Sequence, residues 1–247
     1  YAEQYYKDGC DEIIVHDVAA QLLDKLISLD AIKKISKRVF VPINISGGIR
    51  SINDIKKVLD NGASKVSINS HALANPNFIN EAANIFGSSV ISVSIDAGKI
   101  NSRYYAFSVC GRDCSGKDPV NWAKEAAERG AGEIILTSIQ NEGSGNGYNL
   151  DLTKQVSSSV NVRVIANGGA GSIDDIVNVF DETKVGGASI ASMLHYSLLK
   201  KNKKFKGYEK EGSHAFLMKK NFNHTKFENF FIQDIKKKIK KKNIYIR

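Results

Sequence analysis

The sequence predicts an α/β fold, a (β/α)8 barrel made of two duplicated halves, with its first strand lying before Tyr1. Three observations carry that expectation. Short β-branched runs alternate with amphipathic stretches, as in a parallel sheet with helical crossovers. The alternation recurs at one fixed offset within the chain. The length, 247 residues, is what one such barrel takes, about 250.

Seven strands are expected in order: "EIIVHD" (12–17), "VPINIS" (41–46), "KVSINS" (65–70), "VISVSIDA" (90–97), "EIILTSI" (133–139), "VRVIANG" (162–168) and "ASIAS" (188–192). They read as apolar through their centres, the pattern of strands covered on both faces. Between them, "INDIKKVLDNG" (52–62) and "NFINEAANIFG" (77–87) place apolar residues at helical spacing and end on Gly. The repeat has an offset of 121 residues. It aligns "SGGIRSINDI" (46–55) with "NGGAGSIDDI" (167–176), and "YAEQYYKDGCDEIIV" (1–15) with "WAKEAAERGAGEIIL" (122–136). One register held through two separate motifs marks a duplicated half-barrel, the internal symmetry of a doubled TIM barrel. Carried back from Asp96, the same offset falls at position −25, which is where the eighth strand and its carboxylate are expected. Without them, this stretch of chain is expected to be inactive.

Composition narrows the function classes. The chain is 42% hydrophobic and 25% charged, an ordinary globular balance. It has no apolar run of about 18 residues to span a membrane, and its first residues do not read as a signal peptide. The net charge of +9 sits in the tail: Lys200 to Arg247 holds 16 Lys/Arg against 4 Asp/Glu. We expect residues 1–200 to form the barrel and 201–247 a basic C-terminal extension. The extension shows no recognition motif or aromatic stacking array, so nucleic acid is not expected as a partner. Cys10, Cys110 and Cys114 read as free thiols of a reducing cytosol, hence a cytoplasmic protein. A zinc site needs about four ligands, so no metal is expected. No cofactor is expected either.

Barrel enzymes carry their chemistry on loops after the C-terminal strand ends. Both Gly-Gly turns fall there, each before a helix start, and turns without Cβ atoms let backbone N–H groups approach an anion. Ser70 and Ser192 close the strands "KVSIN" and "GGASIA" of the two halves. Two cradles in register suit a substrate with a phosphate at each end. The alternative is that the glycines only make tight turns and that Ser51 and Ser172 only cap helices. Asp96 ends its strand in "VSIDAGK" and is the candidate general acid/base, or otherwise a turn former. Asp17 ends "VHD" in the same way and is expected to support the site. Glu12, Lys65 and Glu133 begin their strands at the opposite rim, where they read as an ion-pair plug or as a gate.

The motifs "DEIIVHD", "GGIRS", "GASKVSINSHALANP", "VSIDAGK", "ERGAGEIILTSIQNEGSGNGYNLDL" and "NGGAGSIDD" resemble the cyclase subunit family of imidazole glycerol phosphate synthase, over roughly residues 1–200. The resemblance implies a lyase of histidine biosynthesis, paired with a glutaminase subunit whose ammonia crosses the barrel. At the mouth that ammonia reacts with a bisphosphorylated formimino nucleotide, giving imidazole glycerol phosphate and aminoimidazole carboxamide ribotide. By the same resemblance Asp96 is catalytic. Gly48, Asn69 and Ser70 hold one phosphate; Gly168, Gly169, Ala191 and Ser192 hold the other; Glu12, Lys65 and Glu133 belong to a charged ring where ammonia enters. This chain departs from the family at Gln140 and Glu142, at Ser64, in "VPINISGG" and in its long C-terminal region. Those departures look like a paralogous branch that supplies ammonia for amidating a surface-polysaccharide sugar.

Overall fold

The computed structural model describes residues 1–201 and 231–245. Seven parallel strands form a curled sheet: β1 (Ile13–His16), β2 (Ile43–Ser46), β3 (Lys65–Ile68), β4 (Ile91–Ile100), β7 (Glu133–Ser138), β8 (Arg163–Asn167) and β9 (Gly187–Ala188), hydrogen-bonded in that order. The seven expected strands are all present and parallel. β1 and β9 are the two ends of the path, and a cleft of about 1620 Å³ opens between them.

The helices cover the outside. α1 (Ala2–Lys7) precedes β1, and α2 (Leu29–Ser36), α3 (Ile52–Asp60), α4 (Ser70–Ala74) with α5 (Asn77–Phe86), α6 (Pro119–Glu128), α7 (Leu150–Ser159) and α8 (Ile173–Glu182) link successive strands. α9 (Ser192–Lys201) follows β9. The apolar core lies between strands and helices. Ile43, Ile45, Val66, Ile68, Val93, Ile95, Ile134 and Leu136 face helix residues such as Ile55, Val58, Phe78, Trp122 and Leu152. At about 25 cal/mol per Å² of apolar surface removed from water, each fully buried Ile or Leu stabilises the fold by roughly 2 kcal/mol.

The other strand face departs from expectation. It is not apolar throughout: Asn44, Ser46, Ser67, Ser92, Ser94, Glu133 and Thr137 are all buried there. Asn44 of β2 donates to Ser92 of β4 and lies 3.5 Å from Glu133 of β7. Strands so far apart in the sheet can meet only across the concave face of a strongly curled sheet. The concave face therefore carries hydroxyl, amide and carboxylate groups together with Ile135 and Ile165, and the outer face is sheathed in aliphatic residues, a period-two alternation.

Two further details differ from expectation. β4 runs on past the barrel and turns back as a hairpin through β5 (Arg103–Ser108) and β6 (Asp113–Cys114). Its turn places Asn101 and Ser102 at φ of 46° and 70°, the left-handed pair of a two-residue hairpin. The last strand is shorter than expected, because β9 pairs only with β8. Beyond Ser189, whose N–H donates to Ala166, the chain turns into α9. Of the expected basic extension, residues 202–230 lie outside the described residues. Within the rest, α10 (Ile232–Lys241) buries Ile235 and Ile239 against Ile176 and Val179. Lys236 and Lys238 of α10 pair with Asp11 and Asp174, each at 2.6 Å.

Candidate active site

The two Gly-Gly turns superpose in their physics. Gly48, after β2, has φ +72°, and a Cβ there would lie 1.9 Å from the Lys25 carbonyl oxygen. Gly169, its partner in the repeat, has φ +113°, and a Cβ would lie 2.0 Å from the Gly147 carbonyl oxygen. Each glycine is thus required twice over, by a left-handed backbone and by a crossing main chain. The next residues cap helices in both halves. The Ser51 hydroxyl accepts the Asp54 N–H at 3.1 Å, and the Ser172 hydroxyl accepts the Asp175 N–H at 3.2 Å. Asp175 closes a capping box by accepting the Ser172 N–H at 2.8 Å. Capping accounts for these two serines.

Both turns open on the C-terminal rim, and between them stands Asp96. Its carboxylate accepts a hydrogen bond from the Asn69 side chain at 3.0 Å. Thr137 lies opposite Asp96 in the β4/β7 register and accepts from Asn167 at 3.0 Å. Asn69, Asp96, Thr137 and Asn167 thus form one polar row over β3, β4, β7 and β8. Burial pushes the Asp96 carboxyl up to about 6, and the nearby Glu142 carboxylate adds to the rise; hydrogen bonds from Thr137 and Asn69 offset part of it. Burial raises the Glu142 carboxyl as well. An acid of this kind can hold or release a proton near neutral pH.

Asp17 does something else. Its carboxylate accepts the N–H groups of Ala19 and Ala20 at 3.0 and 3.1 Å, shaping the turn after β1. His16 beside it has its imidazole pKa lowered, chiefly by burial.

The structure places Asn69 and Ser70 together at the start of α4, after β3 and beside the Gly48 turn after β2. The Ser70 hydroxyl accepts the Val109 N–H at 3.0 Å, so the β5–β6 hairpin tip folds over this corner. Gly168 and Gly169 follow β8, while Ala191 and Ser192 lie at the start of α9 after β9. Pairs of adjacent strands, β2/β3 and β8/β9, therefore carry the two sets, with β4 and β7 between them.

At the N-terminal rim, Lys65 Nζ lies 2.9 Å from Glu12 and 3.0 Å from Glu133. Glu133 is only 4% exposed. Its second oxygen accepts the Ser92 hydroxyl at 3.1 Å. The three expected charges do meet, and Arg163, not expected from the sequence, joins them at 3.5 Å from Glu133. Also unforeseen were Thr137, Asn167, Asn44 and Ser92. A period-two reading from the charged starts of β7 and β8 reaches Thr137 and Asn167, whereas β2 and β4 begin on Ile43 and Ile91 and give no such mark for Asn44 and Ser92. Cys10, Cys110 and Cys114 are free. No cluster of metal-ligating side chains occurs among the described residues, and no helix among them is long and apolar enough to cross a membrane.

Comparison with known proteins places this geometry. A family model described as "Histidine biosynthesis protein" matches residues 1–200. The "Imidazole glycerol phosphate synthase subunit HisF" of Alkaliphilus metalliredigens (strain QYMF) is 41% identical over 197 residues, covering 79% of this chain and 78% of the relative. The protein of the same name from Natranaerobius thermophilus is 42% identical over 195 residues, with 79% and 78% covered. That from Lactococcus lactis subsp. cremoris (strain MG1363) is 45% identical over 195 residues, with 77% and 75% covered.

Proposed function

This chain belongs to the histidine biosynthesis protein family, and from that premise we propose that it is the cyclase subunit of imidazole glycerol phosphate synthase. In this reading ammonia from a glutaminase subunit enters past Glu12, Lys65 and Glu133 and travels up the polar interior. At the C-terminal rim it meets the bisphosphorylated formimino nucleotide. Gly48, Asn69 and Ser70 take one phosphate, and Gly168, Gly169, Ala191 and Ser192 take the other. Asp96 moves protons during ring closure and cleavage, together with a carboxylate expected on a strand before Tyr1. The observation that carries the reading is the position of Asp96: a buried carboxyl shifted to about 6, standing on β4 between two glycine turns that obey the same constraint.

The lining supports passage of a small polar solute. Asn44, Ser67, Ser92, Ser94 and Thr137 put hydroxyl and amide groups along the interior. The Ser67 hydroxyl is buried with no protein partner, so a solute passing it meets an unengaged polar atom.

A second reading, ammonia supply for amidation of a surface-polysaccharide sugar, draws on Gln140 in the loop after β7 and on Ser64. The Ser64 hydroxyl accepts the Ile43 N–H at 3.3 Å, which ties it to the β2–β3 corner.

The test is turnover of the formimino nucleotide by the full-length protein with ammonium salt. Cyclase function requires turnover that Asp96→Asn abolishes. Affinity for that nucleotide no better than for a bare sugar phosphate would overturn it in favour of the sugar reading. Ser192→Asp sets a like charge against the proposed phosphate, so substrate binding should weaken in a calorimetric titration while the melting temperature holds.

A further inference from the structure

β4 continues past Asp96 into the hairpin, and the returning strand β5 sets Phe107 directly opposite Asp96. Directly opposed residues of an antiparallel pair share a face, with Cβ atoms about 5 Å apart. Gly98, two positions beyond Asp96, lies on that face as well. Its backbone is ordinary strand, so conformation does not call for glycine there; space does. A Cβ at Gly98 would come within 2.8 Å of Phe107 Cε2 and 3.2 Å of Ile139 Cδ1. The Phe107 ring and the Ile139 side chain therefore meet over the bare backbone of Gly98, one step along the strand face from the Asp96 carboxyl.

The hairpin that carries this wall is fastened on several sides. Ile139 donates its N–H to Ala97 at 2.9 Å, and its Cδ1 fills a second notch, where a Cβ at Gly111 would lie 3.2 Å from it. Val109 donates its N–H to the Ser70 hydroxyl at 3.0 Å, and the Cys110 thiol donates to the Val18 carbonyl at 3.5 Å. Val109 and Cys110 hold φ of 49° and 55° in making these contacts. A left-handed β-branched residue is costly and persists only where its surroundings fix it.

Asp96 thus has two unlike flanks. Its hydrogen bonds come from Asn69 of β3 and Thr137 of β7, whereas β5 sets a ring beside it. The titratable groups near it are Glu142, on the loop after β7, and Cys110, at the hairpin tip. Burial raises the Cys110 thiol above its ordinary value, so it carries no charge near neutral pH; Arg112 stands near that thiol. Burial outweighs the Glu142 charge in raising the Asp96 carboxyl, and burial on the hairpin flank is what Phe107 and Ile139 supply.

We propose that Phe107 is a positioning residue of the reaction: with Ile139 it walls off the hairpin flank of Asp96 from water and so keeps that carboxyl poised to give and take a proton. The reaction it serves rests on the cyclase reading of the preceding subsection; the wall itself does not.

The experiment uses the full-length protein, in which the carboxylate expected before Tyr1 is common to every variant. It follows the Asp96 carboxyl by 13C NMR titration in Phe107→Ala, Phe107→Gln and Phe107→Leu. Ala opens the wall, Gln fills the space with a group that holds water, and Leu keeps it apolar. The Asp96 midpoint should fall by about one pH unit with Ala and with Gln, and keep its wild-type value with Leu. In turnover of the formimino nucleotide with ammonium salt, the inflection of kcat against pH should move with that midpoint. A ring that only packs the hairpin would lower the melting temperature in Ala and Gln and leave the midpoint unmoved, which overturns the inference. A Gln variant at the wild-type midpoint overturns it too, and decides the matter should Ala fail to fold. A midpoint that falls while the kcat inflection stays in place would deny Phe107 its part in the reaction, with the same consequence. Midpoints that move as described in a protein that turns over no nucleotide would overturn the cyclase reading alone and uphold the wall.

Discussion

The barrel buries a carboxylate near each end and treats the two in opposite ways. At the N-terminal rim, Glu133 faces two cations and two further donors, and its charge is matched group for group. At the C-terminal rim, Asp96 is held by an amide and stands near a second carboxylate, and its proton affinity rises to about 6. A buried charge that is neutralised locally belongs to the framework or to a gate. One left without a counterion is costly to the fold, and such a cost persists where chemistry uses it. In the proposed reading, the difference between the rims separates the end that admits ammonia from the end where it reacts.

The comparison can be broken most forcibly at Lys65. Lys65→Met leaves Glu12 and Glu133 facing each other without their shared cation and should cost about 3–5 kcal/mol of folding stability in urea titration. Adding Glu133→Gln to that variant should recover much of the loss, because the neutral amide keeps its bonds to Ser92 and Asn44. An additive double variant would mean the rim is not one electrostatic unit.

At the other rim the sign reverses. The folded-state pKa of Asp96 lies above the ordinary carboxyl value, so its protonated form favours folding, and that stability is lost as pH rises from about 4 through 6. Asp96→Asn should therefore match wild type at pH 3 and exceed it by at most about 3 kcal/mol at pH 8. A variant less stable than wild type at pH 8 would place a counterion beside Asp96. A smaller effect sharpens the symmetry of the halves: Gly48→Ala and Gly169→Ala should each cost about 2 kcal/mol or more, from the left-handed backbone and the crossing carbonyl together. The smallest effect is at Glu142. Glu142→Gln should move the Asp96 titration down modestly, since burial of Asp96 outweighs its neighbour.

Much of this was legible before any coordinates. The strand order, the duplicated turns, the placement of Asp96 at a strand end and the meeting of Glu12, Lys65 and Glu133 all follow from local pattern plus the barrel's rule that like strand ends share a rim. What stayed hidden depends on contacts between strands distant in sequence. "VISVSIDA" reads as an apolar run because serine is small, and only the bonds among Asn44, Ser92 and Glu133 reveal a polar bore. Arg163 in "VRVIAN" looks like a solvated strand start until Glu133, thirty positions earlier, is found beside it. The hairpin of β5 and β6 was missed although Asn101-Ser102 carries its turn, because the barrel pattern assigns that stretch to a connection. Ser70 was expected as a phosphate ligand, and its bond to Val109 shows a hairpin tip lying over the same corner.

The measurement that bears most directly on the difference between the rims is a carboxyl 13C NMR titration of Asp96, assigned by its loss in Asp96→Asn. A midpoint near 6 is predicted, with the resonance moving little below pH 4. A midpoint near the ordinary aspartate value, about 4, would mean that the mouth carboxylate is as well compensated as its counterpart below, and the assignment of acid/base chemistry to that rim would fail.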